Sequence, residues 1–410
     1  MTSRERVSKI LNYAEADRVA VDFSGHRSSG IAVQAYKKLR EYLGLEQSEL
    51  FVYDLIQQLA IVEDDVLEIF GVDVVQLGYN FYKKPEFWKE WRLHDGTAVK
   101  IPSSVNISVM PSGDYEIKTP SGEQMGIQKK DCLYFEQTLF PYMEDRNDRF
   151  DDIEEQFQRI QWVGVECPPN QYSIEQQGVE AKALRASTEK AIYGMFGGNL
   201  LELGQQAMRM DVFLMELAGN PDRIERFLDK LFEMHMKNLE QYLTHIGPHI
   251  DVIGVSDDLG MQDGPQISPA MFGRVFKPRY AKMWRLIKQK APHLKICMHN
   301  CGSIYALLPS LIDAGLDAVN PVQTTCVDME PEKLKRNFDG KITFWGGGCD
   351  TREVLPNGTP EQVQENVKHN IEVFAPNGGF VFQQVHNILA DVPPENIVAM
   401  FEAVKKYGSY

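Results

Sequence analysis

The sequence predicts an α/β fold: a (β/α)8 TIM barrel with an N-terminal helical extension and a small β-hairpin insertion. Two observations predict it. From about residue 150, short β-branched or aromatic runs alternate with long amphipathic stretches, the pattern of parallel strands joined by helices. About eight such runs can be found, which favours a closed barrel over a doubly wound open sheet, the second possibility.

Residues 1–70 are predicted to form a helical segment that packs on the barrel. Apolar residues recur at helical spacing in three stretches, and a glycine stops the second one. The stretches are RERVSKILNYAEADR, IAVQAYKKLREYLGL and SELFVYDLIQQLAIVEDDVLEIFG.

Residues 71–410 are predicted to form the barrel. Within them, residues 88–135 are rich in Gly, Pro and Ser and alternate in polarity, so we expect two or three hairpin strands that could act as a lid.

The candidate barrel strands share short apolar runs, and most of them end in polar or small residues. They are GVDVVQLG (71–78), QWVGVE (161–166), AIYGMFG (191–197), DVIGVSDD (251–258), LKICMHNC (294–301), LDAVNPVQ (316–323), ITFWGGG (342–348) and GFVFQQVH (379–386). In a barrel, the C-terminal strand ends and the loops after them build the active site. We therefore expect the functional residues at these ends.

Composition argues against several classes of function. The 410 residues carry a formal net charge of −15, which is unsuited to binding nucleic acid or anionic membranes. The six cysteines are scattered, so reduced thiols are expected rather than a disulfide framework. The chain shows neither a secretory signal nor an apolar run of the roughly 18 residues that span a membrane. A cytoplasmic protein is expected, and a homodimer is compatible with the sequence.

His299 and Cys301 are candidate metal ligands. They end the run KICMHNC just before Gly302. Side chains two residues apart on a strand point to the same side, so an imidazole and a thiolate can meet at one point of the barrel mouth. Zinc accepts this pair at roughly 2.0 to 2.3 Å. The pair is short enough to arise by chance, but its position at a strand end favours a metal site over a purely structural role.

A catalytic zinc needs a third protein ligand and one open position. The candidates lie at other strand ends: His386, Cys349, Cys326, Asp350 and Asp257. His386 ends the last candidate strand and so shares the mouth with His299. The residues alone leave the choice of third ligand open.

Asp257 and Asp258 are candidate catalytic residues, together with His386. Adjacent residues on a strand face opposite sides, so only one of the two aspartates can enter the mouth. That carboxyl group can act as a single acid or base, contact substrate or orient a ligand histidine. The alternative role for either aspartate is to cap a helix or loop.

The segment WGGGCD lacks the glycine spacing of both common nucleotide-binding loops, so nucleotide binding is rejected. Its three glycines more plausibly let the backbone pass close to a bulky ligand. Tyr79, Phe81 and Trp345 can supply apolar walls for a substrate, although aromatic residues in a barrel usually belong to its core. GxSxG, HExxH and CxxC motifs do not occur, so a serine hydrolase, a zincin or a dithiol redox enzyme is unsupported.

Several stretches together resemble the uroporphyrinogen decarboxylase superfamily, strongly over residues 250–405 and weakly at LNYAEADRVAVDF. The stretches are SDDLGMQDGPQISPAMFGRVFKPRY, HNCGSIYALLPSLIDAGLDAVNPVQ, LKRNFDGKITFWGGGCDTREVLPNGTPEQV and FQQVHNILADVPPENIVAMFEAV. The resemblance implies a (β/α)8 barrel and either of two chemistries.

The decarboxylases carry an RQAGR segment whose arginines hold substrate carboxylates. Here that region reads DFSGHRSSGIAVQAY with only Arg27, which argues against a substrate with many carboxylates.

The other branch consists of cobalamin-dependent methyltransferases. Its coenzyme M members hold zinc with an HxC pair and a later Cys. Here His299 and Cys301 keep the pair, and His386 stands where that Cys would fall. The resemblance extends to methyltransferases that demethylate aromatic ethers and carry the zinc motif Glu-x14-Glu-x20-His. Asp350, Glu365 and His386 fall on that spacing and form an alternative ligand set.

The resemblance therefore implies a zinc-dependent methyltransferase that moves a methyl group from a small molecule, favouring an aromatic methyl ether, to a corrinoid carried by a partner protein. Gln323 and Asn387 are expected to orient that substrate, together with one of the two aspartates. Two alternatives stay open: a metal-free decarboxylase of another acid, and a non-catalytic barrel that binds a tetrapyrrole or corrinoid.

Overall fold

A computed structural model describes residues 1–46, 48–144, 148–160 and 172–410. Within these ranges the centre of the protein is a sheet of eight parallel strands, numbered β1–β8 in chain order. They are β1 (Ala20–Val21), β2 (Val74–Gln76), β3 (Ala191–Gly197), β4 (Val252–Ser256), β5 (Lys295–His299), β6 (Ala318–Asn320), β7 (Thr343–Trp345) and β8 (Phe380–Phe382). Their order in the sheet is β1-β8-β7-β6-β5-β4-β3-β2. The predicted (β/α)8 barrel is confirmed.

Helices surround the sheet, except that Ser3–Ile10 packs Val7 and Ile10 against the interior of the barrel. They are Ser3–Ile10, Val33–Tyr42, Asp64–Phe70, Pro141–Glu144, Ile153–Arg159, Ile174–Ser187, Leu201–Met208, Met210–Gly219, Pro221–His245, Pro269–Met271, Lys277–Lys290, Leu308–Ala314, Pro331–Phe338, Val354–Asn357, Pro360–Phe374 and Pro394–Tyr407. Pro360–Phe374 shows why such stretches are helical. The Thr359 hydroxyl accepts from the backbone N–H of Gln362, whose side chain accepts from that of Thr359. This reciprocal cap satisfies two helix-end donors.

The inside of the barrel is a separate apolar layer to which every strand contributes at least one side chain. The strand residues in it are Ala20, Val74, Ala191, Tyr193, Val252, Cys297, Ala318, Trp345 and Val381. Because strand side chains alternate, the next inward positions toward the C-terminal ends open onto the mouth. On β5 this alternation leads from Cys297 in the layer to His299 at the mouth.

The buried carboxylate of Asp73 joins the first and second strands. Its backbone N–H donates to Val21 O at 2.8 Å, and its Oδ2 accepts from Val21 N–H at 2.9 Å. Arg6 and Arg18 pair with the same carboxylate at 2.7 and 2.6 Å. Asp73 therefore ties β1 to the start of β2 and anchors the N-terminal helix Ser3–Ile10.

One strand assignment differs from the sequence reading. The first barrel strand is β1, within a segment predicted to be helical, and it pairs with β8 through Ala20–Val381 and Val21–Phe382. Two residues are too few to give a recognisable alternation. The run 161–166, predicted to be a strand, lies outside the described residues. The division into domains at residue 70 stays a prediction.

The helix predicted over residues 48–71 is wrong in its first half. Val52–Asp54 and Leu59–Ala60 form an antiparallel pair, and only Asp64–Phe70 is helical. All five paired residues are buried, so tertiary packing overrides an apolar spacing that also suits a helix. Within the described ranges, no helix has the length and apolar content needed to cross a membrane.

The predicted insertion is confirmed and contains more strands than expected. Trp88–Arg92 pairs with Ala98–Pro102. A four-stranded antiparallel sheet follows, formed by Ile107–Val109, Tyr115–Lys118, Gln124–Gln128 and Glu136–Gln137. At its end, Gln137 Nε2 donates to Gln206 O at 2.8 Å, which fastens the insertion beside the barrel mouth.

We expect Asp73→Asn to lower the free energy of unfolding by about 3 kcal/mol, because it leaves two arginines without their buried partner. Urea denaturation at neutral pH measures the loss. Asp211→Asn is the matched control, since Asp211 pairs with Arg209 on the surface, where such a pair contributes under about 1 kcal/mol. Equal stability of the two variants would contradict the anchoring role of Asp73.

Candidate metal centre

Two imidazoles and one thiol meet at the C-terminal end of the barrel. His299 ends β5, Cys301 follows two residues later, and His386 lies in the segment after β8. Their ligand atoms all lie within 4.8 Å of one another, and no other group of three His, Cys, Asp or Glu side chains among the described residues does so. Cys301 Sγ is 3.4 Å from His299 Nε2. Ligands of a tetrahedral zinc lie roughly 3.5 Å apart, so small side-chain movements suffice.

Asn320 fixes the orientation and the tautomer of His299. The Asn320 Nδ2 donates to the backbone carbonyl of Trp345 at 2.9 Å and to Gln383 Oε1 at 2.8 Å. A backbone carbonyl can only accept, so Asn320 Oδ1 must face His299 Nδ1, which lies 2.9 Å away. The Nδ1 therefore carries the proton, and the lone pair of Nε2 points toward Cys301 and is available to a metal.

The charges around the donors favour a cation. Burial, and then the nearby carboxyl group of Asp258, raise the pKa of the Cys301 thiol well above its usual range. Burial, and then the neighbouring His299, lower the pKa of His386 to about 3, so His386 is neutral and its ring can serve as a ligand. Asp258 Oδ1 lies 3.6 Å from His299 Nε2. A thiolate forms here only when a positive charge joins the site.

The three donors open onto a cavity of about 610 Å³. Apolar side chains supply one part of its wall, and polar side chains line the rest; the apolar ones are Ile56, Leu77, Tyr193, Met195, Phe196, Leu203 and Tyr242. Arg27 is the one Lys or Arg among the described residues that line it, and it pairs with Asp54. The cavity is therefore suited to a small molecule with both apolar and polar groups rather than to one with several negative charges.

The two adjacent aspartates take different roles, as alternation along a strand requires. Asp258 lines the cavity, and its Oδ1 accepts from Cys301 N–H at 2.7 Å. Asp257 is buried away from the cavity, where its carboxyl group accepts from the N–H groups of Leu200 and Leu201 at 2.7 and 2.6 Å. Asp257 caps the helix that follows β3.

The five residues predicted to bind substrate lie outside the cavity wall. Trp345 belongs to the barrel interior and donates to Asp22 at 2.7 Å. Phe81 is buried against other rings, and Tyr79 donates to Asp64. The two amides hold backbone in place: Gln323 accepts from Gly302 N–H, and Asn387 accepts from Gly30 N–H at 2.8 Å. Their roles in substrate binding stay predictions.

The structure does not bring the alternative ligand set together. Glu365 is exposed on Pro360–Phe374 beside Lys368, and Asp350 accepts from the Arg352 N–H at 2.8 Å. The two other candidate cysteines lie outside the cavity wall as well. Cys349 is fully buried in the main core, and Cys326 Sγ lies 3.5 Å from the Gln262 amide. The metal assignment therefore centres on His299, Cys301 and His386.

The sequence analysis missed Glu202 and His26 at the cavity and Asn320 behind it. Glu202 follows β3 in the segment GGNLLE, and His26 follows β1. Glu202 could have been predicted, because it follows the predicted strand AIYGMFG and the loops after strand ends build the site in this fold. His26 could not be found in this way, since β1 was not recognised. Asn320 lies in the predicted strand LDAVNPVQ, but nothing in the sequence shows that its amide faces His299.

These features define the protein as a (β/α)8 barrel with a nitrogen and sulfur donor set at its C-terminal mouth, where enzymes of this fold have their active sites. A family model described as uroporphyrinogen decarboxylase (URO-D) matches residues 193–407, more than half of the chain. The chain therefore belongs to the uroporphyrinogen decarboxylase family.

Comparison with solved structures gives a similar fold. A methyltransferase from Methanosarcina mazei matches with a TM-score of 0.60 and 17% sequence identity, over 99% of this chain and 99% of that chain. At this identity the likeness shows the fold alone. A search of curated proteins found no significant match.

We expect the purified protein to bind one Zn²⁺, and Cys301→Ala and His386→Ala to bind it at least about 100-fold more weakly, because each loses one of three ligands. Calorimetric titration, with elemental analysis after dialysis, measures the affinity and the stoichiometry. Cys326→Ala is the matched control and should bind like the wild type. Full zinc occupancy in both ligand variants would remove these residues from the site.

His235, on another wall of the cavity, makes stability fall in acid. Its Nε2 lies 2.8 Å from Asn199 O, and burial lowers its pKa to about 4. The unfolded chain takes up this proton near pH 6.5, whereas the folded chain takes it up only near pH 4. The stability is therefore lost as the pH falls through this window.

We expect His235→Gln to reduce the stability difference between pH 7 and pH 4.5 by about 2 kcal/mol. Urea denaturation at the two pH values measures that difference. His369→Gln, on the surface, should leave it unchanged. An unaltered difference in His235→Gln would show that folding does not lower the pKa of His235.

Proposed function

We propose that this protein is a zinc-dependent methyltransferase that moves a methyl group from a methylated small molecule, with an aromatic methyl ether favoured, to a corrinoid carried by a partner protein. The observation that carries the proposal is the convergence of His299, Cys301 and His386 at the barrel mouth. Three protein ligands of this kind leave one zinc position open for a substrate atom, as in catalytic zinc sites.

The residues present fit zinc. Two neutral imidazoles and one thiol are ligands that zinc prefers, and the Asn320 amide already holds His299 in the tautomer that ligation requires. When bound, the ion would polarise the ether oxygen as a Lewis acid. The chain itself holds the donor molecule, directs the methyl group to the open side of the barrel and keeps water from the reacting atoms.

The cavity supports a small aromatic donor. Its volume of about 610 Å³ falls within the range of small-molecule sites, which is roughly 300 to 1,000 Å³. Phe196, Tyr193 and Tyr242 offer ring faces, and amide side chains stand among them at Gln76 and Gln177. Aromatic rings stack on such walls, while amides can bind ring substituents.

The same cavity gives little support to decarboxylation of a polycarboxylic acid. Such a substrate needs several cationic groups. Among the described lining residues, Arg27 is already paired with Asp54, while Asp258 and Glu202 are acidic. The fold shared with a methyltransferase from Methanosarcina mazei is also compatible with methyl transfer.

We expect the zinc-loaded protein to transfer methyl groups from methoxylated aromatic compounds to free reduced cobalamin, the probe for the corrinoid partner. The absorption change on cobalamin methylation and the released phenol measure the reaction. Cys301→Ala should reduce the rate at least about 100-fold, because weaker zinc binding removes the Lewis acid from the ether oxygen, while Cys326→Ala should match the wild type.

Two results would contradict the proposal. Release of carbon dioxide from an acid substrate without any corrinoid would assign the protein to decarboxylation. Tight binding of cobalamin without turnover of any donor would indicate a non-catalytic binding barrel.

A further inference from the structure

Glu202 lies in the cavity wall but is not part of the donor set. It is the second residue of Leu201–Met208, the helix that follows β3. Its backbone N–H donates to Asp257 Oδ1 at 2.7 Å, while the two preceding N–H groups donate to Oδ2 of the same residue. This cap fixes the start of the helix, and therefore the position from which the Glu202 side chain extends.

The carboxyl group of Glu202 is held from one side. Its Oε2 accepts from Asn199 Nδ2 at 2.5 Å and from Ser256 Oγ at 3.2 Å. Its Oε1 has no hydrogen bond to any described residue, and Glu202 lines the cavity. One oxygen is thus anchored, and the other remains available to a molecule in the cavity.

The anchored oxygen lies close to the metal centre. Ser256, its partner, ends β4 and is paired in register with His299 on β5. Neighbouring strands lie about 4.8 Å apart, so the carboxyl group is one strand away from the donor set. A substrate atom at the open metal position would be near both.

The surroundings of Glu202 keep it protonated. Among the described residues, four titratable groups face it: Asp257 and Asp258 from the end of β4, Tyr280 from Lys277–Lys290, and Cys301 from the loop after β5. All four are acids. Burial, with Asp258 and Asp257 next in effect, raises the pKa of Glu202 to about 8. Glu202 is therefore a neutral carboxylic acid at pH 7 with a proton to give.

We propose that Glu202 is a catalytic residue, the proton donor to the oxygen that loses the methyl group; this assignment rests on the proposed function. The methyl carbon leaves the oxygen and bonds to the reduced corrinoid, which contributes the electron pair of the new bond. The electron pair of the broken carbon–oxygen bond stays on the oxygen, which takes the proton from Glu202 Oε1. Glu202 is left as a carboxylate and regains its proton from water.

The test compares methyl donors whose leaving phenols differ in acidity, using zinc-loaded protein and reduced cobalamin in single turnovers. Glu202→Gln keeps an oxygen for Asn199 and Ser256 but has no proton to give. It should slow transfer from electron-rich donors by about 100-fold or more and hardly affect electron-poor donors, whose oxygens need no proton. Glu233→Gln, an exposed glutamate on Pro221–His245, is the control and should match the wild type.

The pH dependence of the transfer rate is a second test of the assignment. Wild-type transfer from electron-rich donors should fall as the pH rises through about 8, and this fall should be absent in Glu202→Gln. Equal slowing of all donors would indicate a structural role and overturn the assignment. Wild-type rates in the variant would also overturn it, yet leave the proposed function standing. Failure of the wild type to methylate cobalamin from any donor would remove both.

If Glu202→Gln does not fold, an infrared measurement on the wild-type protein, which needs no turnover, still tests the assignment. Infrared spectra of wild-type protein with ¹³C-labelled glutamate should show one protonated carboxyl band at pH 7, both without and with zinc. Among the described glutamates, Glu202 is the one whose pKa is raised. Absence of the band in the zinc-loaded protein would overturn the assignment.

Discussion

One buried amide holds the mouth of the barrel together. Asn320, at the end of β6, accepts from His299 on β5 and from Ser28 after β1, and it donates to the Trp345 carbonyl on β7 and to Gln383 after β8. Five of the eight strands or their following loops therefore meet on a single side chain. Because all four polar positions of the amide are satisfied, it has one orientation, and His299 has one tautomer. The candidate metal centre depends on that constraint, because a ring turned by 180° would present its Cε1–H to Cys301 instead of the Nε2 lone pair.

The same rim collects acidic groups with which no Lys or Arg among the described residues pairs. Asp258 lies beside His299 and Cys301, and Glu202 lies one strand away. Asp257 has its own partners in the capped helix and in Tyr280. A cavity with this composition favours a cation at the donor set and a retained proton on Glu202. Both features would serve the proposed ether cleavage, which needs negative charge to be stabilised as it develops on the leaving oxygen.

The sequence predicted the barrel because its strands and helices alternate strongly after residue 150. It predicted His299 and Cys301 because alternation along the predicted strand LKICMHNC gives both side chains the same direction. It was less informative wherever the answer depends on contacts between distant segments. The two-residue strand β1 is defined only by its pairing with β8. The aromatic and amide residues expected at the substrate were chosen by residue type, and the structure places them in the core or against backbone. The pKa of Glu202 is raised by burial and by the neighbouring Asp258 and Asp257. No local sequence pattern shows that these three residues lie together.

The most direct test of the account is X-ray absorption at the zinc edge of the zinc-loaded protein. The account predicts one sulfur neighbour at about 2.3 Å and nitrogen or oxygen neighbours at about 2.0 to 2.1 Å, with the sulfur lost in Cys301→Ser. A zinc shell of nitrogen and oxygen alone in the wild type would contradict the central claim that His299, Cys301 and His386 form a metal site.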